Sequence, residues 1–427
     1  MTKKLRLCFL SFMFLSFFGF FAALSVSGQQ YHSFAWEQER ILEQAKWRFG
    51  PFRIYPRIQF RNIGYDDNIY RQREDGNIIS DYTATFSPEI DVHVLFQNWM
   101  ILSFSENPEY VYFLEEERER AFNNSYSAGV KVKLFHRFIL SGNYDFEKAR
   151  RRPTSEFDVR ADQESKGFSG RIFYETGMET SIGITGAVRE FNFEDITSPG
   201  EEIYLSRLLN RIEKSGHFQF YYRLHSEIFF FLTGGYTDYK FEYEESRWRD
   251  SYSYQGMAGI RFPILGNIRG TVYLGYKKLF PRVVYKKQFA GYIGNANLEY
   301  RTRVFNLRLR YSKDVQFSYW TNNAFYLEYL YGGGLSFYLT RFVRLDYDYT
   351  NGRNQYPELT LVRLPDESYV EFQRKDEYIS HRVGVVFRII KNTGLGFMLN
   401  FWERDSNDFR WGNRHSLFLG GYITFEF

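Results

Sequence analysis

Apolar side chains recur at every second position through most of this chain, and that period constrains the fold more than any other feature. Tyr82, Ala84, Phe86, Pro88, Ile90, Val92 and Val94 alternate with Asp81, Thr83, Thr85, Ser87, Glu89, Asp91 and His93. Tyr126, Ala128, Val130, Val132 and Leu134 alternate with Ser125, Ser127, Gly129, Lys131 and Lys133. The same beat runs through 251–262, 305–312, 343–350 and 395–402. A two-residue period is that of a strand with two unlike faces, not the 3.6 of an amphipathic helix. The alternation test predicts about eighteen strands, from 53–63 and 80–94 to 394–404 and 414–427.

The connections carry an independent pattern. Every even-to-odd link is short, as at Gln97-Asn98, Phe135-His136, Leu265-Gly266 and Thr302-Arg303. Odd-to-even links are longer and charged: Tyr65 to Ser80, Glu115 to Asn123, Lys148 to Glu164, Phe193 to Ser206 and, longest, Asn351 to Glu377. Short turns at one end and long loops at the other are the layout of a transmembrane β-barrel, with the short turns and both termini periplasmic. A soluble β-sandwich gives no reason for this asymmetry. The reading is therefore all-β: an antiparallel up-and-down barrel of about eighteen strands over 51–427.

Composition agrees. Phe and Tyr number 46 and 35 in 427 residues, whereas Pro numbers 10. Mean hydropathy is negative, and beyond the first 30 residues no apolar run is long enough for a helical span. Dense aromatics in a polar average suit strands that turn one side chain in two to lipid between aromatic girdles. The net charge of +4 points to no nucleic-acid partner.

The front of the chain reads as a targeting segment. Thr2-Lys3-Lys4-Leu5-Arg6 is basic, Leu7 to Ala23 is apolar, and Val26-Ser27-Gly28 precedes a predicted cleavage after Gly28. Residues 1–28 are thus expected to be a signal peptide that carries the chain across the inner membrane. The one cysteine, Cys8, lies within it, so the mature chain is expected to have no disulfide and no thiolate metal site. Residues 29–50 are expected to form a periplasmic N-terminal segment, with Tyr31 to Gly50 patterned as one short amphipathic helix: a lumen plug or a periplasmic docking element, the alternatives being a disordered leader or a lid over the barrel base.

At the other end, Leu417, Leu419, Gly421, Ile423, Phe425 and Phe427 share one face of a last strand. This ending resembles the C-terminal signature of outer-membrane barrels, and the resemblance implies that Ile423, Phe425 and Phe427 are read by the barrel-assembly machinery. Gly64-Tyr65-Asp66-Asp67-Asn68-Ile69-Tyr70, following Pro56-Arg57-Ile58, and Asn210-Arg211 at the head of a mid-chain strand add to it. Together these stretches resemble the Gram-negative outer-membrane β-barrel porins found with exopolysaccharide biosynthesis and export loci. The resemblance implies an outer-membrane location, contact with lipid and lipopolysaccharide, and a role in passing a surface polysaccharide, with periplasmic export proteins as partners. It transfers no site residues.

No catalytic constellation emerges. The seven His residues are dispersed, no metal-ligand spacing occurs, and no nucleotide fingerprint is present, so no enzyme, metal or cofactor is expected. Asp376, Ser380 and His381 lie near one strand, but neighbouring Ser and His point to opposite faces. Gly332-Gly333-Gly334 reads as close strand packing rather than a phosphate loop. The charge runs Glu115–Arg120 and Arg150-Arg151-Arg152 read as solvated outer loops, or as contacts to lipopolysaccharide phosphates.

Function is expected in the lumen. Predicted pore-lining residues are Lys131, Lys133, Arg171, Arg261, Arg308, Arg310, Arg344, Asp346 and Asp348. Cations there favour anionic solutes unless carboxylates neutralise them. Inward Tyr273, Trp402, Phe418 and Tyr422 offer stacking faces for sugar rings. The expectation is a passive export channel for a polysaccharide; the alternatives are a general diffusion porin, with the 351–377 loop as its constriction, and a plugged barrel acting as scaffold or adhesin.

Overall fold

The computed structural model describes residues 34–427 except 74–75, 177–178, 199–200, 226–227, 285, 321, 364–366, 391, 409–411 and 427. The predicted signal segment and Phe427 therefore lie outside the described residues. Eighteen antiparallel strands form a closed barrel. They are β1 (Phe52–Asp66), β2 (Asp81–Phe96), β3 (Met100–Phe113), β4 (Ala121–Leu134), β5 (Phe138–Arg151) and β6 (Ala161–Glu175). Then come β7 (Thr180–Phe193), β8 (Arg211–His225), β9 (Ile228–Phe241), β10 (Ser251–Leu265), β11 (Ile268–Pro281) and β12 (Phe289–Arg301). The last six are β13 (Phe305–Phe317), β14 (Phe325–Tyr338), β15 (Val343–Arg363), β16 (Tyr369–Ile390), β17 (Thr393–Ser406) and β18 (Arg414–Glu426). Each pairs with its chain neighbours, and β18 returns to β1 with Ile58 opposite Phe425 and Gly64 opposite Gly420. Closure gives every strand a hydrogen-bonded neighbour on both sides, which a hydrocarbon environment requires.

A fourteen-residue strand such as β3 rises roughly 3.3 Å per residue. At a tilt of about 40° it stands about 35 Å tall, enough for an apolar band of about 25 Å. That band is visible on the outward face: Ile184 and Leu274 are 63% and 62% exposed. Outward aromatics such as Tyr236 and Tyr254, Tyr252 and Phe280, and Tyr311 and Tyr331 pair at 5.2–5.4 Å along the wall. Among the described residues no helix is long and apolar enough to cross a membrane.

The Gly64–Tyr70 stretch explains how the ring is clasped. Asn68, 2% exposed, donates to the carbonyls of Gln72 (2.9 Å) and His415 (2.8 Å). The Leu417 amide donates to Asp67 (2.7 Å), the Asp67 amide to the Leu417 carbonyl (3.1 Å), and the Ser416 hydroxyl to Asp66 (3.1 Å). The motif ties the first strand to the last. Asn210 works likewise between loops, accepting from the Phe193 amide (2.8 Å) and donating to Glu242 (3.1 Å).

Two expectations are corrected, one of them in part. The segment 351–377 is not a long loop: β15 and β16 run on as a hairpin past the wall, with a register shift between Gln355 and Leu359 around Pro357. Leu205–Leu209 forms a short helix, with Leu205 and Leu209, four apart on one face, fully buried. Of the charge runs, Glu115, Glu117 and Arg118 are exposed as a solvated outer loop would be, whereas Arg150-Arg151-Arg152 is half-buried and engaged. Arg150 pairs with Glu119 (3.3 Å) and Asp162 (2.7 Å), Arg151 with Glu147, and Arg152 donates to the carbonyls of Asp158 (2.6 Å) and Ile69 (2.9 Å).

Candidate functional site

The outer half of the lumen is filled, whereas in the inner half Asn297 is exposed and Arg308, Arg310 and Arg344 are half-buried, although Arg261 and Asp346 are buried. Filling begins where β13 and β14 leave the wall. Pairing of β12 with β13 stops at Gly294–Lys313, whereas β13 and β14 stay paired to Phe317–Phe325. The freed tip turns inward, and Ser318, Tyr319, Asn323, Phe325 and Tyr326 are all buried. On one side the tip packs with Phe157, Leu205 and Leu209; on the other it joins Tyr239, Met257, Leu279 and Ile293.

A polar latch holds the tip from above. Glu156 accepts from the Ser318 hydroxyl (2.7 Å) and the Tyr319 amide (3.1 Å). Arg249 donates to the carbonyls of Tyr319 and Trp320, both at 3.1 Å. Arg404 reaches the Glu156 carbonyl (3.1 Å), Asp158 (3.2 Å) and Asp376 (2.8 Å). Arg374 holds Asp376 from β16 (2.8 Å), and Arg414 holds Asp158 from β18. Ion pairs this deeply buried persist because each carboxylate has several donors. Burial pushes the Glu156 carboxyl up to about 7, against the pull of Ser318 and Arg374.

A helix, α1 (Phe34–Gln44), sits against the inner face at the short-turn end. Phe34, Ile41 and Ala45, spaced on one helical face, are its buried side. Glu37 pairs with Lys131 of β4, Tyr55 of β1 donates to the Ile41 carbonyl, and Gln38 donates to the Gln97 carbonyl. The described part of the N-terminal segment thus lies against the lumen wall.

The nine predicted lining residues all fall on the inward face and form three groups. Lys131 and Lys133 stand on β4, where Lys131 is neutralised by α1. Arg171 and Arg261 flank an aromatic row; Arg171 donates to Thr185 (3.3 Å) and lies 5.5 Å from the Phe173 ring. That row runs Phe173, Tyr221, Phe231, Tyr273, with centroids 6.0, 6.0 and 6.3 Å apart. Glycine makes room for it. A Cβ at Gly183 would lie 2.4 Å from the Phe173 ring and one at Gly259 would lie 2.5 Å from Phe231, so the rings lie flat over the intervening strands. Phe173 and Tyr221 are buried, while Phe231 and Tyr273 stay half-buried toward the lumen.

The third group is Arg308, Arg310, Arg344, Asp346 and Asp348. Arg308 pairs with Asp348 (2.9 Å) and Arg344 with Asp346 (3.0 Å). Neutralisation of cations by carboxylates therefore holds for these pairs, whereas Arg310 makes no ion pair among the described residues. Arg382 of β16 was missed, although Val383 and Val385 on the opposite phase mark it as inward. The latch residues Glu156, Asp158, Arg374, Arg404 and Arg414 were also missed, and Asp376 was weighed only beside Ser380 and His381. No local signal distinguishes them from ordinary loop and strand-end charges.

The other sequence candidates separate. His381 faces outward and shares a hydrogen bond with the Tyr347 hydroxyl (3.0 Å), whereas Ser380 faces inward and donates to Asn400 (3.1 Å). Ser380 and His381 thus stand on opposite sides of the wall. Gly332 and Gly334 lie inward on β14, as close packing predicts. Among the described residues no cluster of His, Cys, Asp and Glu fits a metal. Of the assembly residues, Ile423 and Phe425 face outward on β18, opposite Phe60 and Ile58 of β1.

A closed antiparallel barrel with a lipid-facing exterior, short turns at one end and a charged lumen defines an outer-membrane barrel of porin type. The chain belongs to the family described as "Putative beta-barrel porin 2", whose model matches residues 43–417. That description is of a porin, a transport barrel. No functionally curated protein matches the chain in sequence. Solved structures similar to it include the outer membrane protein opdK of Pseudomonas aeruginosa, at 8% identity, covering 88% of this chain and 98% of that one with a TM-score of 0.47. OccK3 (OpdO) of the same organism gives 10% identity, coverage of 93% and 99%, and a TM-score of 0.45. A mutant of its ferric enterobactin receptor gives 8%, 88%, 81% and 0.45.

Proposed function

We propose that this barrel is a gated, passive outer-membrane channel for a saccharide chain, loaded from the periplasmic side for export to the cell surface. The observation that carries the reading is the half-buried aromatic pair Phe231–Tyr273 in the inner half, extending the row from Phe173 and Tyr221. Aromatic faces take the apolar faces of sugar rings, and the surrounding Asn, Arg and Asp side chains take hydroxyls as donors and acceptors. Asn297, inward on β12, is exposed, whereas the outer-half lining residues Ser253 and Asn354 are sealed at 1% and 0% exposure. Solute entry is thus favoured from the inner side, and passage requires the outer latch to open. No nucleotide motif supplies energy, so a concentration gradient or a periplasmic partner drives movement.

The test is planar-bilayer current through the purified barrel with neutral oligosaccharide added on the short-turn side. The latch variant Arg404→Ala is expected to conduct, and maltohexaose to interrupt its current. Phe231→Ala/Tyr273→Ala in the same background should shorten the interruptions severalfold. Current that no oligosaccharide interrupts would contradict the saccharide reading. The filled outer half also favours a second reading, a non-conducting barrel that presents its outer loops; absence of current in every latch variant would establish that reading instead.

A further inference from the structure

We infer that the inner wall between β13 and β16 holds a binding site for an oxyanion, the carboxylate or phosphate of an acidic saccharide, centred on Arg308, Arg310 and Arg382. The inference rests on the saccharide reading for the ligand's backbone but not for its charged group.

The geometry follows from register. Arg308, Gly334, Asp348 and Arg382 are successive cross-strand partners on β13 to β16. Two residues further along β13, Arg310 is in register with Gly332, Thr350 and Ser380. Both rows face the lumen. Arg308 reaches across Gly334 to Asp348 at 2.9 Å, and a Cβ at Gly334 would lie 2.5 Å from that carboxylate and 2.8 Å from the guanidinium. Over Gly332 the contacts are looser: the nearest atoms to a Cβ there would be the Arg310 Cβ and the Tyr349 carbonyl, each at 3.5 Å, and the Arg310 Cδ at 4.0 Å, so the Arg310 side chain itself runs beside this glycine. At Gly332 β14 therefore sets no side chain of its own directly opposite Arg310.

Charge decides what binds here. Arg382 interacts electrostatically with Asp348, Arg308 and Arg310, and Arg310 with Arg308, Asp348 and Glu299. Glu299 is itself held by Arg269. Register thus sets Arg308, Arg310 and Arg382 on one patch of wall with Asp348, which pairs with Arg308, so guanidiniums outnumber carboxylates there. The thirteen-residue β13 places this patch in the half near the short turns, away from the sealed latch. Guanidiniums bind carboxylate and phosphate through paired N–H donors. Ser380 and Asn400, hydrogen-bonded to each other at 3.1 Å beside Arg382, offer neutral partners for the hydroxyls next to the acid.

The experiment is calorimetric titration of the full barrel in detergent with trigalacturonate, inorganic phosphate and neutral maltotriose. Trigalacturonate is expected to bind at least about tenfold more tightly than maltotriose at low salt, with the difference shrinking as salt rises. Arg310→Ala should weaken trigalacturonate about tenfold and leave maltotriose within twofold, and Arg310→Lys should restore part of the loss. Phosphate binding lost in Arg310→Ala, with neither saccharide bound, would uphold the oxyanion site and overturn the saccharide reading. Equal binding of the acidic and neutral sugars, unchanged by Arg310→Ala, would overturn the oxyanion site and leave the saccharide reading standing. No binding of any of the three overturns both.

Discussion

Replacing Arg404 by Ala should unlatch the outer half of the lumen while leaving the barrel wall intact. The guanidinium is 2% exposed and donates to Asp376 at 2.8 Å, Asp158 at 3.2 Å and the Glu156 carbonyl at 3.1 Å. Removing one partner of a buried ion pair costs about 3–5 kcal/mol, because the other charge stays buried. Asp376 keeps Arg374 and Asp158 keeps Arg414, which places the expected loss near the lower end, about 3 kcal/mol. At about 1.4 kcal/mol per tenfold, the latch's opening equilibrium rises roughly a hundredfold. Hydrogen–deuterium exchange reads this directly, because the Tyr319 amide donates to Glu156. Peptides covering 153–160 and 314–324 should exchange about a hundredfold faster, with those from β3 and β4 unchanged. Unchanged protection in both latch peptides would refute the reasoning. So would uniform loss of protection, which would make Arg404 a general support of the wall.

Other consequences follow from the same contacts. The Glu156 carboxyl sits at about 7 instead of 4.5, so the folded latch binds its proton more tightly than an open one. Its contribution is complete below about pH 4.5 and fades as pH rises through 7, by up to about 3 kcal/mol; channel open time should be longer at pH 8 than at pH 5, and Glu156→Gln should abolish the difference. Lys131→Ala removes the partner of Glu37 and should free α1 for proteolysis within 34–44, at a cost of about 1–2 kcal/mol in docking, with no change in barrel mobility on semi-native gels. Asn68→Ala leaves the Gln72 and His415 carbonyls without their donor and should lower the unfolding midpoint of the β1–β18 seam, by about 1–3 kcal/mol in denaturant titration.

The wall was legible because its signal is local. Alternation over 80–94 or 395–402 depends on nothing beyond the next residue, and strands in these places follow within a few positions. Inward lining residues followed from the same parity, Arg308 and Arg310 included. The latch was illegible because its contacts are not local: Arg404 and Glu156 are 248 positions apart, and Asn68 and His415 are 347. The β15–β16 extension was hidden for a different reason. Asn351, Gly352, Asn354 and Pro357 are turn-forming residues, yet the hairpin absorbs Pro357 in an irregular stretch and buries Asn354 and Tyr356 against neighbouring loops. The helix Leu205–Leu209 is too short to show a period, and tertiary burial of its two leucines settles it.

Labelling of single cysteines in intact cells tests the central claim most directly: a closed barrel across the outer membrane, sealed outside and open within. Val284, 98% exposed in a long-end loop, Phe135, 85% exposed in a short turn, inward Asn297 and outward Ile184 each serve as the labelled position. A bulky, membrane-impermeant maleimide should modify Val284→Cys on intact cells, and Phe135→Cys and Asn297→Cys only after the outer membrane is breached. Ile184→Cys, facing lipid, should resist in both. Labelling of Asn297→Cys from outside, or of Ile184→Cys in either condition, would contradict the account.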